Sequence, residues 1–443
     1  MSAEVRDALE RFVLRGMAGA NAGDAVTRFV TVTKKGELRI GDRVLSPGAG
    51  LWVAALGKAA PPMFSALREM VPDRIRGGIA IAPEGHFTAP TIGVTQVEAG
   101  HPIPNREGEK AARALLDLAG RIPPDDVLVV LLSGGASSLT TCPAEGLMLE
   151  DLQRANQILL NSGAGIAEVN SVRKHCSCFS GGRLAAASGT RMIEVLAVSD
   201  VRGDQPEVIG SGPCSADATT FVDALAVVER YELMGEMPAR VMAHLESGAE
   251  GGMEESLSST DPRLADVHYQ IIARNRDARR AVCTAAEEEG FDAVDLGEIL
   301  QGESSQIGRR LAALSGSLRV SRPTLLVAGG ETVVKVAGKG RGGRNQELAL
   351  AAAMTWAAEG GGGTAALMAV GTDGRDGPTP AAGAFADHST VARGRLKGLD
   401  ASLMLDQNDS YTFFSSIGDE VMTGPTGTNV MDLAVVLVRE DVA

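Results

Sequence analysis

Aromatic residues are scarce in this 443-residue chain: 10 Phe, 3 Tyr and 2 Trp make up 3% of it. Its core must therefore be built mainly from Ala, Val, Leu and Ile. Cysteine is scarce as well. The five residues Cys142, Cys176, Cys178, Cys214 and Cys283 form an odd set with no CxxC pair. That spacing excludes a disulfide framework and a zinc ribbon, and reduced thiols in the cytoplasm are expected. No run of about 18 apolar residues occurs, so no membrane-spanning helix is expected. The opening MSAEVRDALERFVLRG mixes charges throughout and lacks the apolar centre of a signal peptide. There is no GxxxxGK[ST] sequence, which excludes a P-loop nucleotide site. Positive charge is in deficit, 42 Lys and Arg against 56 Asp and Glu, a net charge of −14. Such a surface repels phosphate backbones, so nucleic acid is excluded as a partner. A small anion can still bind where the basic residues gather in one cleft.

Glycine is plentiful, at 54 residues, often paired just after an apolar run. These runs are 51–56 (LWVAAL), 78–82 (GIAIA), 127–132 (VLVVLL), 193–198 (IEVLAV), 324–328 (TLLVA) and 365–370 (AALMAV). Short, continuous apolar runs suit strands buried on both faces, as in a parallel sheet. Helical periodicity falls between them, as at 107–122 and 345–359, and also over 3–30. Strand alternating with helix predicts an α/β fold. Length suggests two or three domains. The Gly-, Ser- and acid-rich stretch 246–263 reads as a linker, dividing an N-terminal domain, 1–250, from a C-terminal one, 264–443. GGGG at 360–363 reads as a surface loop.

In open α/β sheets, ligands collect where loops leave the carboxyl ends of strands. After 51–56 come Gly57 and Lys58, and Lys58 offers one positive charge to a phosphate or carboxylate, or else is a solvated Lys after a turn. After 127–132, Gly134 and Gly135 allow backbone amides to approach an anion, with Ser133, Ser137 and Ser138 as hydroxyl donors; a tight turn is the alternative. After 193–198, Asp200 and Asp204 can hold Mg²⁺ or accept a hydroxyl proton, or cap a helix. The 338–345 stretch sets Lys339, Arg341 and Arg344 among Gly342, Gly343 and their neighbours before a helix that begins near Asn345, a pattern for anion binding at a helix N-terminus. Asp373 and Asp376 lie three apart in a Gly-rich loop and suit a cation or a capped turn. Thr426, Gly427 and Thr428 precede the last apolar run and can meet phosphate through hydroxyls and amides. His101 and His175 read more readily as structural than as catalytic.

These loops resemble the glycerate 2-kinase family, with its MOFRL-type C-terminal domain. The resembling stretches include LGKAA, EAGHPIPN, LLSGGASSL, NSVRKHCSCFSGGRLA, SDVRGDQPEVIGSGP, GRGGRNQELAL, GTDGRDGPTPAAGA and TGPTGTNVMDL, spread over about 50–438. The resemblance implies an N-terminal Rossmann-like parallel sheet, a smaller C-terminal α/β domain, and an active site in the cleft between them. It implies ATP-dependent phosphorylation of D-glycerate to 2-phosphoglycerate with Mg²⁺. Lys58 and Arg344 match the family's important Lys and Arg. Two positions depart from its pattern: Ser180 stands where a Lys is common, and Arg202 where a Pro is usual. On this reading Lys58, Arg344 and Asp200 are the catalytic candidates. Ser133, Gly134, Gly135, Ser137, Ser138, Lys339, Gly342, Gly343, Asn345, Thr426, Gly427 and Thr428 are candidates for binding substrate or ATP, and Asp204 and Asp373 for the metal. The partners expected are ATP and D-glycerate, in the cytoplasm; a homodimer stays open.

The rival reading is an NAD(P)H-dependent hydroxypyruvate reductase. Gly338, Gly340 and Gly343 satisfy G-x-G-x-x-G before a helix, but no acid follows about 20 residues on at a strand end.

Overall fold

The structure, a computed structural model, describes residues 1–34, 36–87, 89–90, 93–359 and 365–439. The GGGG loop expected at 360–363 lies outside the described residues. The chain forms two compact units, Ala22–Ile272 and a second made of Met1–Asn21 with Ala273–Ala443. This corrects the division expected at 246–263. That stretch is packed: Leu257 exchanges backbone hydrogen bonds with Gly181 and Asp217, and Ser256 donates to Asp217 at 2.9 Å. The expected helix over 3–30 is also two helices, Ala3–Gly19 and Ala22–Phe29, one in each unit. The first buries Leu9, Phe12 and Val13 and packs on the helix Asn275–Glu288, with the Phe12 and Phe291 rings edge to face at 5.2 Å. That buried face holds the first 21 residues with the C-terminal unit.

The unit Ala22–Ile272 opens with three short antiparallel strands, β1 (Val30–Val32), β2 (Leu38–Ile40) and β3 (Arg43–Val44). Its main sheet contains β4 (Leu51–Leu56), β5 (Ile75–Pro83), β6 (Thr95–Ala99), β7 (Val127–Leu132), β8 (Ile193–Val198) and β9 (Val267–Ala273), in the order β6-β5-β4-β7-β8-β9. The pairs from β6 through β8 are all parallel, as the apolar runs predict. β7 is buried at every residue, because helices cover both faces of such a sheet. One acid interrupts β8: Glu194, fully buried, pairs with Arg43 at 3.2 Å and with His268 at 2.9 Å. A separate apolar cluster joins the helices Leu149–Asn161, Ile166–His175, Phe221–Arg230 and Ala239–Ala249 through Leu159, Val172, Phe221, Val228 and Leu245.

The second unit contains β10 (Asp292–Glu303), β11 (Thr324–Val333), β12 (Ala365–Gly371), β13 (Gly383–Asp387), β14 (Glu420–Val421) and β15 (Asp432–Val438), ordered β10-β11-β15-β12-β13-β14. The runs 324–328 and 365–370 are strands, but not neighbours in a parallel sheet. β15 inserts between them, antiparallel to both, so this sheet is mixed. The helix Arg344–Ala358 is buried nearly all round its middle, where Leu348 through Ala353 are inaccessible to solvent. Among the described residues no helix is long and apolar enough to cross a membrane.

Candidate active-site loops

In the unit Ala22–Ile272, β4, β7 and β8 are neighbours, so the loops at their carboxyl ends lie side by side. Gly57 has φ +115°, and a Cβ there would sit 2.3 Å from the Ser133 hydroxyl. Glycine is the residue that permits both the conformation and the approach. The two loops are tied together: the Lys58 N–H donates to the Gly134 carbonyl at 2.9 Å. Ser133 Oγ accepts from the Ala59 N–H at 3.0 Å and donates to the Leu56 carbonyl at 3.2 Å. Ser133 is fully buried, so it braces the loop that carries Lys58 instead of offering a donor to an anion, a correction to the role expected from sequence.

Lys58 itself is half-buried. A Cβ on Gly135 would lie 3.0 Å from the His101 ring and 3.5 Å from Lys58 Cγ, so these three residues meet at one spot. Ser138 donates to the Gly135 carbonyl at 3.1 Å, and Ser137 shares a hydrogen bond with Ser211 at 2.8 Å. Beside them opens a cavity of about 610 Å³, whose lining includes His101, Gly135, Ser137, Ser138, Arg173 and Ser180. Asp200 and Asp204 are half-buried beyond β8, and Asp204 adopts a left-handed φ of 55°. Among the described residues no three His, Cys, Asp or Glu side chains form a group able to hold a metal ion, so neither Asp204 nor Asp373 belongs to one.

Two neighbouring features also differ from expectation. Cys142 and Cys178 are joined as a disulfide, where five free thiols were expected. The Cys178 N–H bonds the Cys142 carbonyl at 2.9 Å, which brings together two residues 36 apart in sequence. His175 is structural, as read: its Nδ1 meets the Ser171 carbonyl at 2.8 Å and its Nε2 meets Glu255 at 3.1 Å.

The other unit carries Arg344 at the start of the helix Arg344–Ala358. Its Nε and Nη2 donate to the two oxygens of Asp432, at 2.6 and 2.9 Å, and its Nη1 pairs with Glu331 at 2.6 Å. Burial opposes the charge of Arg344, but Asp432 and Glu331 outweigh it and hold the guanidinium pKa above its ordinary value. The helix N-terminus is not open to a ligand. Asp376, itself buried, accepts from the Asn345 and Gln346 N–H groups at 3.0 and 2.9 Å. Burial pushes the Asp376 carboxyl up to about 6, against the pull of those two amides. A Cβ on Gly343 would come within 2.2 Å of Asp376 Cγ, so the glycine makes room for the cap.

In the Gly-rich stretch before the helix, where an anion loop with Lys339, Gly342 and Gly343 was expected, several backbone amides are engaged by the chain itself. The Gly338 N–H donates to Asn408 at 2.9 Å, Gly340 to the Gln407 carbonyl at 2.9 Å, and Arg341 to Asp409 at 2.9 Å. A Cβ on Gly342 would meet the Ser410 hydroxyl at 2.3 Å. Its glycines therefore serve close packing on 407–410. Lys339 and Arg341 are exposed, with Arg341 over the Tyr411 ring. The same occupancy counts against a dinucleotide fingerprint at Gly338, Gly340 and Gly343, because a pyrophosphate needs those helix N-terminal amides. Asn345 is buried against Asp376. In the turn around Gly427, the Thr426 hydroxyl donates to the Thr372 carbonyl and Thr428 donates to the Ala20 carbonyl at 2.6 Å, so both are engaged internally.

Asp432 and Glu331 were missed from sequence. A signal existed for Asp432: an acid opening the otherwise apolar run DLAVVLV must find a partner once buried.

A family model described as a domain of unknown function (DUF4147) matches residues 8–246, and the MOFRL family matches residues 324–432. A glycerate 2-kinase from Pyrococcus horikoshii is 38% identical over 88% of this chain and 87% of its own length. A protein from Agrobacterium vitis named for hydroxypyruvate reductase activity is 38% identical over 87% of this chain and 86% of its own. The crystal structure of a glycerate kinase from Thermotoga maritima superposes with a TM-score of 0.84 at 35% identity, covering 99% of this chain and 100% of that one.

Proposed function

Because the chain belongs to the glycerate 2-kinase family, we propose that it transfers the γ-phosphoryl group of ATP to the 2-hydroxyl of D-glycerate, giving 2-phosphoglycerate and ADP. The observation that carries this reading is the likeness to glycerate kinases over nearly the whole length, together with Lys58 set beside a cavity at the carboxyl ends of parallel strands.

Phosphoryl transfer asks for alignment and charge neutralisation more than for covalent catalysis. Lys58 supplies one positive charge to the transferring group, on a loop made rigid by Ser133. Arg344, in the other unit, offers a planar guanidinium to an anionic oxygen group. Its fork on Asp432 fixes the guanidinium plane, while Glu331, the more exposed partner, is the one an anionic substrate can displace. Asp200 accepts the proton of the attacking hydroxyl. Mg²⁺ neutralises the ATP oxygens when bound. It is usually held by one or two carboxylates plus substrate phosphates, so Asp204 or Asp373 fits that role without a preformed cage of acids. This chemistry suits the cytoplasm, where ATP is supplied.

The A. vitis relative keeps the reductase reading as a second one. Purified protein given D-glycerate, ATP and Mg²⁺, followed by ³¹P NMR, separates the two. A 2-phosphoglycerate signal is expected. Oxidation of NADH by hydroxypyruvate with no phosphorylated product would reverse the assignment.

A further inference from the structure

The helix Ile166–His175 ends in three consecutive basic residues that meet three different surroundings. Lys174 is buried and pairs with Asp217 at 3.0 Å. His175 is buried and meets Glu255. Arg173 lines the 610 Å³ cavity, and its Nε donates to the neutral Asn156 side chain at 2.8 Å. Among the described residues no carboxylate pairs with it, and nothing engages its two terminal nitrogens. Burial works against its charge and lowers its pKa. Arg173 is half-buried, and a charge withdrawn even partly from water gains from an arriving counter-charge.

The cavity is also biased in sign. Its lining includes Arg154, Arg173 and His101 but one acid, Glu150, and Glu150 is exposed and already bonded to Arg106 at 3.1 Å. In a chain of net charge −14 that local excess of base is unusual. The Ser138 and Thr141 hydroxyls bond backbone carbonyls, which leaves the guanidinium groups of Arg173 and of the exposed Arg154 as the strong donors of the lining. A planar fork with two open nitrogens matches two oxygens of one carboxylate or phosphate.

We propose that Arg173 is a substrate-binding residue of this cavity, held in plane by Asn156, and that it grips an anionic oxygen group: the carboxylate of the hydroxy acid or a phosphate of the nucleotide. The assignment rests on the kinase reading for which substrate brings the anion, but not for the anion site itself.

The test compares wild type, Arg173→Gln and Arg173→Lys, with KM for D-glycerate and for ATP measured separately and folding checked by melting temperature. Arg173→Gln is expected to raise one KM by about tenfold to a hundredfold, the loss of a charge-assisted pair of bonds. The other KM should stay within about twofold, and Arg173→Lys should recover part of the loss. The KM that rises identifies the source of the anion. Unchanged constants in both variants overturn the proposal. So does a fall in melting temperature with both KM values moving together in both variants, which marks a structural Arg. If the wild-type protein shows no kinase activity, the kinase reading fails by itself. Calorimetric titration of D-glycerate and of inorganic pyrophosphate then decides Arg173: binding to wild type that weakens in Arg173→Gln supports the site, and equal binding or none overturns it.

Discussion

Arg344 and Asp432 lie 88 residues apart in sequence and form a two-point fork, Nε and Nη2 onto the two carboxylate oxygens at 2.6 and 2.9 Å. Asp432 opens the strand that inserts between β11 and β12, and Arg344 opens the helix packed on that sheet. The fork fixes the plane of the guanidinium, which suits the transition-state role proposed for Arg344.

Arg344→Lys is therefore expected to cut kcat more than it raises KM for glycerate. A Lys keeps the charge but loses the planar fork, and a transition-state arginine is worth about 10³-fold in related chemistry. Steady-state kinetics on both substrates checks this. A raised KM with kcat preserved would mean that Arg344 binds ground and transition states alike.

Lys58→Ala should abolish turnover and leave the melting temperature within a few degrees of wild type. The loop's rigidity comes from the Ser133 hydroxyl and the Lys58 backbone N–H, which the substitution retains. By contrast, Ser133→Ala should lower stability by about 1–2 kcal/mol, since it strands the buried Ala59 N–H. Thermal unfolding of both variants, with kinetics alongside, separates the two roles.

Asp376 gives a pH dependence of defined sign. Its carboxyl is pushed up to about 6 in the folded chain, by burial, against about 3.9 unfolded. The folded state thus binds the proton more tightly, and stability should fall as pH rises from about 4 to about 6. The loss is at most about 3 kcal/mol. Urea unfolding across that range for wild type and Asp376→Asn isolates the effect, because the amide does not titrate. Parallel pH profiles in the two proteins would contradict it.

Lys174 and Asp217 form a buried pair in the other unit. Burial raises the Asp217 pKa, but Lys174 and the bonds from Thr219 outweigh it and hold the carboxyl below its usual range. Lys174→Met strands that carboxylate and should cost about 3–5 kcal/mol. Adding Asp217→Leu should recover much of the loss. Chemical denaturation of the single and double variants measures both, and a double variant as unstable as the single would show that the charge is not the cause.

The chain's local pattern determined a good deal by itself. Continuous apolar runs such as 127–132 read as strands because strands buried on both faces need no polar alternation. Lys58 was legible as a strand-end charge for the same reason: a Gly-Lys pair directly follows such a run. Tertiary structure decided what periodicity does not carry, namely which distant segments pair. β15 enters the second sheet between β11 and β12, and it does so by hydrogen bonds that any apolar strand can make. The first helix joins the C-terminal unit through Phe12 and Phe291, 279 positions apart in the chain. The Gly-rich loop before Arg344 looked like an anion cradle until Asp376 and Asn408 filled its amides. A glycine's missing side chain reveals that something comes close, and the fold alone decides whether that neighbour is a ligand or the chain itself.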